Sequence, residues 1–249
     1  MRRTLLTLTT SLALLAGTAM AGGLGTMTDE EKAAFRAEVR AYLMENPEVL
    51  MEAMQVLQER QDKAAADQEQ MTLSANKDFI YNDANSWVGG NPEGDITIVE
   101  FMDYRCSYCR KAYSEVADLV ESDGNIRFVV KEFPILGEDS IASSRFAISV
   151  RLLHGDDAYE KVHDELITLR GAPDPETLGR LAAKLGFEAQ PVLDKMGSSE
   201  VTDIIAANHQ IAGQLNITGT PTFFIGETIL RGYLPEEDMK KIVAEARAS

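Results

Sequence analysis

The 249-residue chain has little cysteine and few positive charges, and each shortage removes a class of protein. Its two cysteines are too few for a disulfide-stapled scaffold or for a zinc site with four cysteine ligands. Lys and Arg number 24 against 40 Asp and Glu, which gives a net charge of −16. A chain this acidic repels phosphate backbones and anionic lipid surfaces, so nucleic acid and membrane-surface partners are not expected. Apolar residues make up 45% of the chain, as in ordinary globular proteins.

The first 21 residues have the pattern of a secretory signal peptide. Two arginines precede a short apolar stretch, and Ala19-Met20-Ala21 offers a small-residue cleavage site. The apolar stretch is too short for a membrane span of about 20 residues, so an uncleaved anchor is the less favoured interpretation. We therefore expect export to the periplasm with cleavage after Ala21, into an oxidising compartment where disulfide chemistry is possible.

Residues 28–78 are predicted to form a helical extension. Thr28-Asp29-Glu30-Glu31 matches a capping box that starts a helix, and Asn46-Pro47 ends that helix and starts another. A short helical arm cannot bury its own apolar side chains, so we expect the extension to join subunits into a homo-oligomer. The apolar positions of the arm are Phe35, Val39, Tyr42, Leu43, Val49, Leu50, Met54 and Leu57.

Residues 85–249 have the pattern of an α/β domain. A turn-rich boundary precedes a strand, a helix and a second strand, an order that implies parallel strands with a right-handed crossover. The expected elements are strands at 96–102 and 126–133 around a helix at 107–121, helical segments over about 138–216, two short strands joined at Gly226-Glu227, and a final helix from Pro235.

The cysteine pair lies where the first strand gives way to a helix, in Cys106-Ser107-Tyr108-Cys109. The free backbone N–H groups and the positive dipole end of a helix favour thiolate over thiol. We expect an exposed Cys106 to act as nucleophile, and Cys109, one turn inside, to resolve the mixed disulfide. A structural disulfide, two inert thiols and a zinc half-site are the alternatives, although the half-site would need two more ligands.

Glu100 stands alone in the apolar strand, six residues before Cys106. A buried carboxylate is costly unless it is paired or protonated. One interpretation makes Glu100 a proton acceptor that deprotonates Cys109 during exchange. The other makes it a structural carboxylate neutralised by Lys131 on the neighbouring strand, and both can hold.

Three segments together resemble the DsbA-like branch of the thioredoxin superfamily: Val99-Glu100-Phe101, the Cys106–Cys109 motif and Gly219-Thr220-Pro221-Thr222-Phe223. The resemblance covers about residues 85–249 and implies a thioredoxin fold with a helical insertion. It further implies that Pro221 is cis and faces Cys106, and that Glu100 is the family's buried acid. Substrate peptide is then held by the Thr220 backbone, with Ser107 and Tyr108 beside it. No cofactor or resident metal is implied. Ser107 stands where many relatives carry proline, a position that tunes the redox potential.

The segment from Tyr42 to Leu50 resembles the amino-terminal segment of the suppressor-of-copper-sensitivity protein C group. In that group the segment assembles subunits, and some members are trimeric disulfide isomerases. The resemblance implies a disulfide isomerase or oxidase that acts on unfolded or misfolded exported proteins through a Cys106 mixed disulfide. A membrane redox partner and a trimer or dimer are part of the same expectation.

Two other functions fit the sequence. The first is an oligomeric periplasmic chaperone whose cysteines form a fixed disulfide. The second is a copper-binding protein, because thiolates and thioethers suit Cu(I). Its ligands would be Cys106 and Cys109, with Met44, Met51 and Met54, although methionines at helical spacing usually belong to a core. The three histidines, His154, His163 and His209, carry no motif and are expected to be surface or packing residues.

Overall fold

The computed structural model describes residues 27–248, so the expected signal peptide, residues 1–21, lies outside the described residues. The chain divides into two compact units, one ending at Ala64 and the other beginning at Ala65. Within residues 27–248, no helix is long and apolar enough to cross a bilayer.

The first unit consists of helix α1 (Asp29–Glu45) and the beginning of helix α2 (Glu48–Ala75). The predicted capping box is confirmed: the Glu31 N–H donates to the Thr28 hydroxyl at 3.2 Å, and the Thr28 N–H donates to the Glu31 carboxylate at 2.7 Å. Helix α1 stops where the Asn46 side-chain amide donates to the Tyr42 carbonyl oxygen at 2.9 Å. Helix α2 then begins directly after Pro47, as predicted.

The apolar side chains of the first unit are exposed. None of the residues of α1 is buried, and Phe35, Tyr42 and Leu50 are about half exposed. Met44 and Met51 are 71% and 66% exposed, and Met54 is similar. The expectation that these methionines belong to a core is therefore wrong for this chain, because residues 27–64 contain no further element that could cover them.

The second unit is built on a mixed five-stranded sheet with the strand order β1-β3-β2-β4-β5. Strands β2 and β3 are parallel and are joined by helix α4, which confirms the predicted βαβ unit. The remaining pairs are antiparallel, and β4 and β5 form the predicted hairpin, in which Gly226 has a φ of +59°. The strands are β1 (Trp87–Gly90), β2 (Ile96–Met102), β3 (Ile126–Glu132), β4 (Thr222–Ile225) and β5 (Thr228–Arg231).

Helices cover both faces of this sheet. The last turns of α2 and helix α3 bury Leu73, Ile80 and Tyr81 against one face. Five helices lie between β3 and β4, in the region expected to be helical. The helices of the second unit are α3 (Lys77–Asn82), α4 (Ser107–Asp123), α5 (Glu138–His154), α6 (Asp156–Thr168), α7 (Pro175–Lys184), α8 (Ala189–Lys195), α9 (Ser199–Gln214) and α10 (Glu236–Ala248).

The register between β2 and β3 decides which buried charges share a face. Phe101 lies opposite Lys131, and Met102 lies opposite Glu132. Because side chains alternate along a strand, Glu100 and Glu132 point to one face and Lys131 points to the other. The Lys131 ammonium donates to the Asp83 carboxylate at 2.7 Å and to the Phe79 carbonyl oxygen at 2.6 Å. The expectation that Lys131 neutralises Glu100 is therefore wrong.

Candidate active site

The two cysteines lie at the amino end of α4, and both thiols are free in this structure. Cys106 is the N-cap residue, so it is the last residue before the helical turn that carries Cys109. The turn is fixed by Asp103, whose buried carboxylate accepts hydrogen bonds from the N–H groups of Arg105, Ile135 and Leu136. Sequence reasoning missed Asp103. An aspartate directly after a strand, which can hydrogen-bond the backbone two residues on, is the signal that could have found it.

The loop before β4 closes over Cys106. The Thr220–Pro221 peptide bond is cis, as the resemblance implies. The Thr220 carbonyl oxygen lies 3.1 Å from the Cys106 sulfur. Cys106 is consequently only 7% exposed, and the expectation of an exposed thiol is wrong because this loop covers one side of the sulfur.

The two thiols differ in acidity. A hydrogen bond donated by the Cys109 thiol has the largest effect on the pKa of Cys106, and the side chain of Thr220 and the backbone N–H groups of Tyr108 and Cys109 also favour the thiolate. Together they lower the pKa of Cys106 to about 5, although burial opposes the change. Burial raises the pKa of Cys109 far above the usual thiol range, and the hydrogen bond to Cys106 and the charge of Glu100 act in the same direction. At neutral pH the site thus holds one thiolate and one thiol.

Glu100 is buried beneath the cysteines. Burial, followed by the negative charges of Cys106 and Glu132, raises the pKa of Glu100 to about 8. No side chain among residues 27–248 makes a hydrogen bond to its carboxyl group. The charge of Glu100 in turn helps to raise the pKa of Cys109, so the two groups are near enough to interact. A carboxyl group with this pKa can give and take a proton near neutral pH.

Glu132 is a second buried acid on the same face of the sheet, and sequence reasoning missed it. Its carboxylate accepts hydrogen bonds from the hydroxyls of Tyr104 at 2.8 Å, Tyr159 at 2.6 Å and Ser144 at 2.7 Å. The Tyr104 hydroxyl also lies 3.1 Å from Nδ1 of the buried His163. This network ties the residues preceding Cys106 to helices α5 and α6. A second isolated acid in the apolar strand β3 is the sequence signal that could have revealed it.

The structure brings five of the predicted site residues together. Cys106, Cys109 and Glu100 interact with one another, and the Thr220 carbonyl, which is bonded directly to Pro221, contacts the Cys106 sulfur. The other two, Ser107 and Tyr108, are exposed on the first turn of α4 beside Cys106, and Tyr108 is 59% exposed. Among residues 27–248, no group of three or more His, Cys, Asp or Glu side chains is arranged to hold a metal ion.

Comparison with known families agrees with this geometry. A family model described as thioredoxin matches residues 82–245. This chain belongs to the thioredoxin family. A second family model, described as the copper resistance protein ScsC N-terminal domain, matches residues 31–64. The predicted thioredoxin fold, with helical elements and an N-terminal helical region, is thereby confirmed.

Solved structures add closer relatives. A thioredoxin-like oxidoreductase from Silicibacter pomeroyi DSS-3 is 37% identical, with a TM-score of 0.66 over 70% of this chain and 99% of that chain. Proteus mirabilis ScsC in a transitional conformation is 27% identical, with a TM-score of 0.65 over 90% of this chain and 98% of that chain. The thiol-disulfide exchange protein α-DsbA2 from Wolbachia pipientis, at 23% identity and a TM-score of 0.65 over 71% of this chain and 95% of that chain, shares the fold.

Curated relatives include much longer proteins. The Na(+)/H(+) antiporter NhaA 1 of Salinispora arenicola is 28% identical over 162 residues, which are 65% of this chain and 24% of the antiporter. The chain therefore spans about a quarter of the length of this relative.

Proposed function

We propose that this protein is an exported thiol–disulfide oxidoreductase that acts on exported proteins through a mixed disulfide at Cys106. The observation that carries the proposal is the difference between the two thiols. Cys106 has a pKa of about 5 and caps a helix, whereas burial keeps Cys109 protonated. A nucleophile must be a thiolate at working pH, and a resolving thiol must wait until the mixed disulfide has formed.

The reaction on a substrate disulfide has two steps. First, the Cys106 thiolate attacks one substrate sulfur, the substrate S–S bond breaks, and the other substrate sulfur leaves as a thiolate. The low pKa of Cys106 supplies the nucleophile without a separate base. In isomerisation, a substrate thiolate then attacks the mixed disulfide, and Cys106 leaves again as a thiolate with the substrate rearranged.

Reduction takes the second step through Cys109. The Cys109 thiol loses its proton and attacks the Cys106 sulfur, which forms the Cys106–Cys109 disulfide and releases the second substrate sulfur as a thiolate. Oxidation of a substrate is this sequence in reverse. We assign Glu100 as the group that accepts the Cys109 proton, because its pKa of about 8 lies close to neutral pH and its charge acts on Cys109.

Substrate is held, in this proposal, along the loop that covers Cys106. The Thr220 carbonyl already lies against the sulfur, and Pro221 follows it. Ser107 and Tyr108 are exposed directly after Cys106 and offer a surface for the peptide. An extended peptide that pairs with the Thr220 backbone would bring its own sulfur to Cys106.

The domain assignment is part of the proposal. Residues 1–21 serve as a periplasmic signal peptide and residues 85–249 as the catalytic domain. Of the expected extension, residues 28–78, the part up to Ala64 serves as the oligomerisation arm, because Leu73 is buried against the sheet of the second unit. The exposed Phe35, Tyr42 and Leu50 and the match to the ScsC N-terminal domain support self-association, with a trimer preferred over a dimer. Several Cys106 sites facing one client suit isomerisation, and a membrane redox partner keeps them reduced.

Refolding of scrambled ribonuclease tests the reaction. The protein is first equilibrated with glutathione and then added to the scrambled substrate, with Cys106→Ser as the matched control. An isomerase restores ribonuclease activity without added oxidant, whereas an oxidase acts only on the fully reduced substrate. Activity retained by Cys106→Ser would instead favour a non-catalytic chaperone.

Light scattering tests the arm. The double variant Tyr42→Lys, Leu50→Lys places charge on the exposed apolar face, whereas Gln61→Lys changes the polar part of α2. We expect an oligomer for the parent and for Gln61→Lys, and a monomer for the double variant. A monomeric parent would contradict the proposed arm.

Copper binding is a second candidate, favoured by the description of the family that matches residues 31–64. Met44, Met51 and Met54 are exposed on α1 and α2, and Cys106 offers a thiolate. Anaerobic Cu(I) titration distinguishes the two candidate sets of ligands, the methionines and the cysteines. Loss of binding in Cys106→Ser assigns the metal to the cysteines, and loss in the three Met→Leu substitutions assigns it to the helices.

A further inference from the structure

A cavity of about 480 Å³ leads from the surface to the buried side of the redox site. It opens between helices α4 and α6 at the β1 end of the sheet. Its walls are largely apolar and include Trp87, Val116, Phe128 and Ile167. Glu100 and Cys109 also line it, and no residue of the Thr220 loop is among its lining residues. Concave, mostly apolar sites of this size with a few polar groups are typical of small-ligand sites.

The charges on the cavity wall have one sign. Glu100, Glu121, Glu160 and Asp164 line it, and no lysine or arginine is among the lining residues. Neither Glu121 nor Glu160 forms an ion pair within residues 27–248. A cleft lined by charges of one sign between low-dielectric walls concentrates ions of the opposite sign. The cavity therefore favours positively charged ligands and repels anions.

Glu100 provides an anchoring point for such a charge. Its side chain is buried, lines the cavity and has no hydrogen-bond partner among the described residues. The nearby cation that sequence reasoning assigned to it, Lys131, lies on the other face of the sheet. A buried carboxylate is stabilised by a hydrogen-bonded cation, and charge-assisted hydrogen bonds are the strong ones.

We propose that this cavity is a binding site for a small lipophilic amine, with its ammonium group on the Glu100 carboxylate and its apolar body between Trp87, Val116 and Phe128. A ligand in this position fills the space in front of both Glu100 and Cys109. Its effect on exchange rests on the proposed function: the occupied cavity slows the transfer of the Cys109 proton to Glu100.

Trp87 makes binding measurable, because it is the only tryptophan of the chain and lines the cavity. The reduced full-length protein is titrated at about pH 9, where Glu100, with a pKa of about 8, is ionised and an alkylamine is still protonated. Phenylbutylamine, phenylbutanol and phenylbutyrate are compared while Trp87 fluorescence is recorded. One charge-assisted hydrogen bond predicts that the amine binds about ten-fold or more tightly than the alcohol. Phenylbutyrate is expected to bind more weakly than both. Equal affinities for amine and alcohol, or tighter binding of the carboxylate, would overturn the proposal.

Substitutions distinguish binding in the cavity from non-specific attraction of the amine to an acidic protein. Ala117→Phe places a ring at the exposed wall of the cavity and should abolish amine binding. Asp118→Asn removes a carboxylate from the same helix outside the cavity and should leave binding unchanged. Glu100→Gln should cost the amine about ten-fold and the alcohol little. Amine binding that persists in Ala117→Phe would contradict the proposed site. So would a loss of amine affinity in Asp118→Asn as large as the loss in Glu100→Gln.

Exchange kinetics distinguish this proposal from the proposed function. The rate of exchange with a small disulfide is measured with and without saturating phenylbutylamine, and Ala117→Phe is the control that does not bind. If the amine binds but leaves the rate unchanged, the site stands and the proton-acceptor role of Glu100 fails. If Glu100→Gln slows exchange but no amine binds, the proposed function stands and the ligand site fails.

Discussion

Removal of the Cys109 thiol should raise the pKa of Cys106. The hydrogen bond donated by Cys109 is the largest single effect that stabilises the Cys106 thiolate. Cys109→Ala removes this donor but keeps the helix start, the backbone N–H groups and the Thr220 loop. The Cys106 thiolate then loses one charge-assisted hydrogen bond while its other stabilising contacts persist.

The size of the effect follows from the strength of such a bond. Hydrogen bonds to charged groups contribute about 1.5–3 kcal/mol, and 1.36 kcal/mol corresponds to one pKa unit. The pKa of Cys106 should therefore rise from about 5 to about 6–7 in Cys109→Ala. An unperturbed thiol has a pKa of about 8.5, so the remaining contacts still hold Cys106 below the usual value.

The assay is the rate of iodoacetamide alkylation of the reduced protein as a function of pH, with thiolate absorbance as a second readout. Cys109→Ser is the matched variant, because its hydroxyl can still donate to Cys106. We expect the alkylation midpoint of Cys109→Ser to stay closer to that of the parent than the midpoint of Cys109→Ala does. A midpoint that does not move in Cys109→Ala would refute the assigned role of the Cys109 hydrogen bond.

Four further predictions concern buried polar groups. Glu100→Gln should slow thiol–disulfide exchange, and rates equal to those of the parent across pH 6–8 would exclude Glu100 as proton acceptor. Folding raises the pKa of Glu100 from 4.5 to about 8. The contribution of Glu100 to the free energy of unfolding is therefore complete below its pKa in the unfolded chain. This contribution is lost as the pH rises through its pKa in the folded protein. In urea unfolding, the parent should therefore lose several kcal/mol relative to Glu100→Gln between about pH 4.5 and 8. Asp83→Ala leaves the buried Lys131 ammonium without its carboxylate and should cost about 3 kcal/mol of unfolding free energy, whereas Asp78→Ala on exposed α3 surface should cost little. Tyr104→Phe removes one hydrogen bond to the buried Glu132 and should cost about 1–3 kcal/mol in the same assay.

Local sequence patterns were enough to predict the framework of the redox site. The sequence shows an apolar run at residues 96–102, then a helix after Cys106, then a second strand. This order predicts that β2 and β3 are parallel and are joined by α4. The capping box at Thr28 and the Gly226 turn were likewise visible within a few residues. Each of these features depends on interactions close in sequence, which a single sequence displays directly.

Features that depend on packing between distant segments could not be predicted in the same way. The partner of Lys131 depends on the register of β3 against β2 and on the approach of Asp83, which no pattern within one strand reveals. Cys106 is covered by Thr220, which is distant in sequence. The hydroxyls that bind Glu132 likewise belong to residues of α5 and α6. The cavity beside Glu100 arises where α4 and α6 approach the sheet, so it has no sequence signature of its own.

Mixed-disulfide trapping shows directly which cysteine attacks a substrate and which one resolves the mixed disulfide. The reduced parent, Cys106→Ser and Cys109→Ser are each mixed with a disulfide-bonded peptide at neutral pH, quenched with acid and analysed by mass spectrometry. If Cys106 attacks and Cys109 resolves, we expect a stable peptide adduct on Cys106 in Cys109→Ser, no adduct in Cys106→Ser, and only a transient adduct in the parent. A stable adduct on Cys109 in Cys106→Ser, with none on Cys106 in Cys109→Ser, would contradict this assignment of roles.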